Sequence, residues 1–140
     1  MITSAAAYVA ARMKALGYKA WNNSNDPEEI ADQRMNDGYI VELRTAEKGQ
    51  VSQDNYRVLV PMTVMIFRGS SMKTADRELE AAADGERVVK DFILVENWAT
   101  FGNGLKGVLF DRMKVEEFAN NKNAFKVTLN FTALVIIATR

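Results

Sequence analysis

No cysteine and no histidine occur anywhere in the sequence, and proline occurs only twice. Without thiols there is no disulfide framework, no thiolate metal site and no thiol nucleophile. Without imidazole the commonest general base and the commonest transition-metal ligand are both missing. An excess of either charge is lacking too. Lys plus Arg and Asp plus Glu number 18 each, so no global field draws the chain to nucleic acid or to an anionic membrane. No apolar run approaches the ~20 residues that a membrane helix needs. The N-terminal stretch "MITSAAAYVAARMKALGY" carries Arg12 and Lys14 among its apolar residues and no basic region ahead of them, so it does not read as a signal peptide. Together these absences suggest an intracellular protein with no cofactor, no metal and no catalytic apparatus.

What remains is an ordinary globular composition, with 48% apolar and 26% charged residues in 140, the size of a single domain spanning 1–140. The balanced charge is unevenly placed. Residues 23–54 hold eight acids (Asp26, Glu28, Glu29, Asp32, Asp37, Glu42, Glu47, Asp54) against three bases (Arg34, Arg44, Lys48), a net of −5. Residues 97–140 hold three acids and six bases, a net of +3. Two differently decorated solvated faces would explain this. So would a self-complementary surface in which the acidic region of one copy meets the basic region of the next.

Periodicity supplies the elements. Ser4 is placed to cap a first helix with Val9, Met13 and Leu16 on one face, and Gly17 to end it. Residues 22–38 are polar, with Asp26-Pro27-Glu28-Glu29 able to start one helical turn. A strand runs from Tyr39 to about Arg44, then a polar loop, residues 45–55. "YRVLVPMTVMIF" is a long strand in which Pro61 requires a bulge or a free edge. A helix from Thr74 to about Val95 has Leu79, Ala82, Ala83, Val89, Phe92 and Ile93 as its buried stripe, with Gly85 its weak point. A strand near Val108–Phe118, an asparagine-rich turn and the strand "FKVTLNFTALVIIAT" close the chain. The last strand alternates strictly as far as Thr132; beyond it Leu134 and Ile136 make both faces apolar, so both faces should be covered there. The expected fold class is α+β: a mixed, mainly antiparallel sheet of about four long strands flanked by two main helices, in the order helix-strand-strand-helix-strand-strand.

Gly102-Asn103-Gly104-Leu105-Lys106-Gly107 matches the glycine fingerprint of dinucleotide-binding proteins. That fingerprint works because it follows a strand and opens a helix whose N-terminus holds the pyrophosphate. Here a helix precedes the glycines and a strand follows them, so the run reads as a mobile connection. Asp76, Glu80 and Asp84 lie four apart on the second helix but are interleaved with Arg77, Arg87 and Lys90, the pattern of a solvated face. Adjacent Glu116 and Glu117 point to opposite faces of a strand and cannot act as an acid/base pair. No catalytic constellation emerges.

The order of elements ("NDGYIVELR", a charged loop, "NYRVLVPMTVMIFRG", the amphipathic "ADRELEAAADGERVVKDFI", two closing strands) resembles the tail terminator (tail-completion) proteins of long-tailed bacteriophages. The resemblance covers nearly the whole chain and rests on layout, not on an invariant motif. It implies a non-enzymatic virion protein, assembled in the host cytoplasm, that forms a hexameric ring capping the tail tube. One ring face would dock on the tail tube protein and the other on the head-side connector or stopper, with double-stranded DNA passing through the lumen without tight binding. Candidate subunit or ring–ring contacts are Glu28, Glu29, Glu47, Lys48, Gln50, Asp54, Trp98, Phe101, Lys106, Leu134 and Ile136. The alternatives are a related neck or head–tail joining protein, or a small nucleic-acid-binding module with Trp98, Phe101 and Lys106 as a stacking, phosphate-contacting loop.

Overall fold

The computed structural model describes residues 2–20, 38–44, 48–52, 55–68, 74–118 and 121–138. The alanine-rich first helix, α1 (Ile2–Ala15), turns Ala5, Tyr8, Val9 and Met13 inward. It ends as the sequence suggests. Gly17 takes φ +93°, and the amides of Gly17 and Tyr18 donate to the carbonyls of Lys14 and Met13 at 3.0 and 2.9 Å. That is a Schellman closure, which glycine enters without steric cost. Ser4 is not the cap expected of it. It lies inside the helix, and its hydroxyl donates across the molecule to the Asn103 carbonyl at 2.9 Å.

Beyond α1 come β1 (Lys19–Ala20), β2 (Gly38–Leu43), β3 (Lys48–Ser52), β4 (Asn55–Arg68), α2 (Thr74–Ile93), α3 (Val95–Phe101), β5 (Leu105–Phe118) and β6 (Asn121–Ala138). The class is α+β, as expected, but the sheet is larger than four strands and there are three helices among the described residues. Five strands run β1-β2-β4-β6-β5, and β3 pairs on β4. β1 is parallel to β2; every other pairing is antiparallel. The elements not anticipated are short: β1 has two residues, β3 has five with no apolar alternation, and α3 has seven. Residues 45–55 are therefore not one loop, because Lys48–Ser52 forms a hairpin with the first part of β4.

β4 and β6 pair without interruption from Asn55↔Ala138 to Arg68↔Phe125. The other edge of β4 is divided, with β3 on residues 55–58 and β2 on residues 62–66. Pro61 stands at the changeover. Its carbonyl accepts from the Arg44 amide at 3.1 Å, and its missing N–H falls where β2 ends. Of the two possibilities read from the sequence, the free edge is the one used.

One face of the sheet is covered. Val58, Val60, Met62, Val64 and Ile66 of β4, with Phe125, Val127, Leu129, Phe131, Ala133 and Val135 of β6, are buried against Tyr8, Val9 and Met13 of α1 and Ala81, Val88 and Phe92 of α2. The buried stripe of α2 is thus Ala81-Gly85-Val88-Phe92; of the stripe expected, Phe92 is buried and Val89 packs half-buried against the core, but the rest is shifted. Leu79 is 73% exposed, and Ala83 and Ile93 are exposed too. Gly85 is no weak point. A Cβ there would stand 2.7 Å from Met113 Sδ and 2.9 Å from Val127 Cγ1, so its bareness sets how closely α2 approaches the sheet. The opposite face carries no helix among the described residues. Leu59, Pro61, Thr63 and Met65 on β4 and Thr128, Asn130, Thr132, Leu134 and Ile136 on β6 are all half-buried there. No helix among the described residues is long and apolar enough to cross a membrane.

Candidate functional site

The glycine run between α3 and β5 is a hydrogen-bonded left-handed turn. Gly102, Asn103 and Gly104 take φ of +71°, +54° and +82° in succession. The Leu105 amide donates to the Gly102 carbonyl at 3.0 Å, and the Ile136 amide to the Gly104 carbonyl at 2.8 Å. A Cβ on Gly104 would stand 2.5 Å from the Ile136 carbonyl oxygen. The glycines let this turn lie flat against the end of β6. The helix that a pyrophosphate would need lies before the turn, not after it.

Of the residues singled out from the sequence, Glu28, Glu29, Glu47 and Asp54, like the Asp26–Glu29 helical turn and positions 119–120 of the asparagine-rich turn, lie outside the described residues. Lys48 and Gln50 are on β3. Trp98 and Phe101, both on α3, pack half-buried against the core, and the Phe101 ring meets Tyr8 edge-on at 5.4 Å. Lys106 is exposed at the start of β5. Leu134 and Ile136 are on the sheet face that carries no helix among the described residues, half-buried like Thr128 and Asn130. Ala133 and Val135 between them are buried on the other. Within the described chain, the end of β6 is therefore no better covered on its second face than the beginning.

Two groups of charges on the described surface are engaged with each other. Arg68 reaches Glu80 at 3.1 Å and Asp84 at 3.5 Å, so two of the three carboxylates spaced along α2 are spent on one guanidinium. Burial pushes the Asp84 carboxyl up, against the opposing pull of Arg68 and Arg87. Glu116 lies 3.3 Å from Lys126 and 3.5 Å from Lys114, and the Lys126 hydrogen bond holds its carboxyl below the usual range. Burial pushes the Tyr18 hydroxyl up beside Asp84, opposed by Arg87.

What sequence reasoning missed is an apolar band that wraps the outer edge of the sheet. α2 ends at Ile93, Leu94 breaks the helix with φ −63° and ψ 122°, and α3 starts at Val95. Asn97 turns back to donate its amide to the Asp91 carbonyl at 2.8 Å, satisfying an end that α2 leaves open. This corner projects Ile93, Leu94 and Val95 into solvent, beside Leu109 (64% exposed) and Phe110 (39%) on β5. An open cleft of ≈ 720 Å³ runs among Ile93, Val95, Trp98, Leu109, Phe110 and Leu134, with Arg57 and Lys106 at its walls. The sequence held one signal: Val108, Leu109 and Phe110 are consecutive apolar residues on a strand with one covered face, a pattern plain alternation cannot satisfy.

No protein-family model matches the chain, and no curated protein matches it significantly.

Proposed function

We propose that this chain is a structural protein of a bacteriophage tail, without catalysis, whose copies close into a ring on the tail tube. The observation that carries this reading is apolar surface: the exposed band from Ile93 to Phe110, together with half-buried Leu59, Met65, Leu134 and Ile136 on the sheet face that carries no helix among the described residues. A sheet whose second side carries no helix among the described residues suits a subunit that meets other protein there. The layout's resemblance to tail terminators supplies the rest of the proposal: six copies, the tube protein on one ring face, the connector or stopper on the other, and DNA in the lumen, in the virion. The acidic stretch from Asp26 to Asp54 suits a rim or lumen that lets DNA slide, because acidic side chains make no lasting phosphate contacts. The stacking-loop alternative loses a ring, since Phe101 is spent on Tyr8. Negative-stain electron microscopy with light scattering of the purified protein tests the proposal. Rings of about six subunits are the expected result. A strict monomer, alone and with tail-tube protein, overturns it.

A further inference from the structure

β5 is the last strand of the sheet, and among the described residues no strand pairs with its outer edge. A long open edge is a template for another chain. The side chains along this one are complementary to themselves. Two copies laid antiparallel about the Asp111–Arg112 peptide set Asp111 opposite Arg112 twice, Phe110 opposite Met113 and Val108 opposite Val115. They also bring Lys106 of each copy to the Glu116–Glu117 end of the other. Shifting the centre onto either residue sets Asp111 against Asp111 or Arg112 against Arg112, and like charges directly opposite are unfavourable.

A regular strand cannot pair with itself in this way. Val108 and Val115 are an odd number of residues apart and would face opposite sides. The bulge between Phe110 and Arg112 adds one residue and removes the mismatch. Val108, Phe110, Met113 and Val115 lie opposite Ala133, Phe131, Leu129 and Val127 of β6, all on the covered face. Leu109, Arg112 and Lys114 lie opposite Thr132, Asn130 and Thr128, on the other. The Thr132 hydroxyl donates to Asp111 Oδ2 at 2.7 Å, which holds that carboxylate on the same face as Arg112. Asp111 and Arg112 are both exposed. The bulge that would ordinarily blunt an edge here sets the register of a twofold contact.

We infer that two copies of this chain pair through β5, antiparallel and centred on Asp111–Arg112. The contact is isologous. A ring closes by head-to-tail contacts between two different patches, so the β5 pair is a separate interface and does not rest on the ring reading.

The cysteine-free chain allows a direct test. Phe110→Cys and Met113→Cys are made singly, mixed and oxidised. Disulfide-linked dimers containing one of each are expected, well above those formed by either variant alone. Separately, Asp111→Arg and Arg112→Asp should each sediment as monomers at concentrations where the parent chain sediments as dimers, and the double variant Asp111→Arg/Arg112→Asp should regain the dimer. Circular dichroism melts establish that each variant is folded. A parent chain that stays monomeric, single reversals that leave association unchanged, or equal cross-linking in unmixed samples would each overturn the inference. Rings seen by microscopy but indifferent to the charge swap would sink the β5 pair and leave the ring reading standing; swap-dependent dimers that never close into rings would do the reverse.

Discussion

The guanidinium of Arg12 on α1 forks onto the carboxylate of Asp91 on α2, with Nε 2.7 Å from Oδ1 and Nη2 2.6 Å from Oδ2. One turn earlier on α1, the Tyr8 hydroxyl donates to the Phe92 carbonyl at 2.7 Å. These two contacts fasten α1 to the last turn of α2. The ion pair is bidentate and half-buried, so it exceeds a surface salt bridge in worth. Asp91→Asn should cost about 1–2 kcal/mol, and Arg12→Ala at least as much, because it leaves the carboxylate of Asp91, the more buried partner, unpaired. Chemical denaturation of the two variants and their double checks this. The double should cost less than the sum.

Tyr8 makes stability sensitive to alkali. Burial, reinforced by Asp91, pushes its hydroxyl up to about 12 from an ordinary value of 10.0. The folded chain therefore keeps a proton that the unfolded chain releases, and stability falls as pH rises between about 10 and about 12. Burial pushes Tyr18 and Tyr39 up as well, so they add to the fall. Tyr8→Phe should cost about 1 kcal/mol at pH 7 by leaving the Phe92 carbonyl unmet, yet flatten the alkaline loss. Melting temperatures of both proteins at pH 8, 10 and 11.5 would show the gap between them narrowing. A constant gap would refute the assignment.

Gly17 and Gly104 both hold positive φ, but only one is crowded. Around Gly17 a Cβ would meet nothing within 4 Å, whereas at Gly104 it would stand 2.5 Å from the Ile136 carbonyl oxygen. Gly17→Ala should cost about 1 kcal/mol, the ordinary penalty of a left-handed alanine. Gly104→Ala should cost at least about 2 kcal/mol, because the end of β6 must also move. Urea midpoints of the two variants decide it, and equal midpoints would mean that the turn is not packed on β6.

Replacing glycine by alanine in the middle of a helix ordinarily stabilises by roughly 0.5–1 kcal/mol. Gly85→Ala should do the opposite, since its methyl would meet Met113 Sδ and Val127 Cγ1 inside contact distance. Combining Gly85→Ala with Val127→Ala should recover part of the loss. Calorimetric melts would show a positive coupling between the two sites. A Gly85→Ala variant more stable than the parent would show that α2 stands off the sheet.

Gly85 also shows how far the sequence could be read. The strict alternation of β6 and the run of β4 announced two long strands, and the apolar face read from each is the covered one; that the two strands pair with each other was not legible. The α2 stripe misled over its first two turns, where the buried residues are small. Ala81 and Gly85 carry little hydrophobic signal, while Leu79, which carries much, faces water. β3 was hidden because its pairing is carried by main-chain hydrogen bonds to β4, and "KGQVS" has no face to bury. For the candidate interface residues, Leu134 and Ile136 were legible as apolar residues on the second face. The Ile93–Phe110 band was not, since it depends on the break at Leu94 and the bulge at Asp111, and both are tertiary.

The uninterrupted pairing of β4 with β6 also bears on kinetics. β3–β4 and β5–β6 join neighbours in sequence, and each can zip locally. Every pair between β4 and β6 instead closes a loop containing the whole of α2 and α3, so its entropy must be met before any contact compensates it. The barrier to folding should lie at the meeting of these two preformed halves. In stopped-flow experiments, Val60→Ala on β4 should then slow refolding.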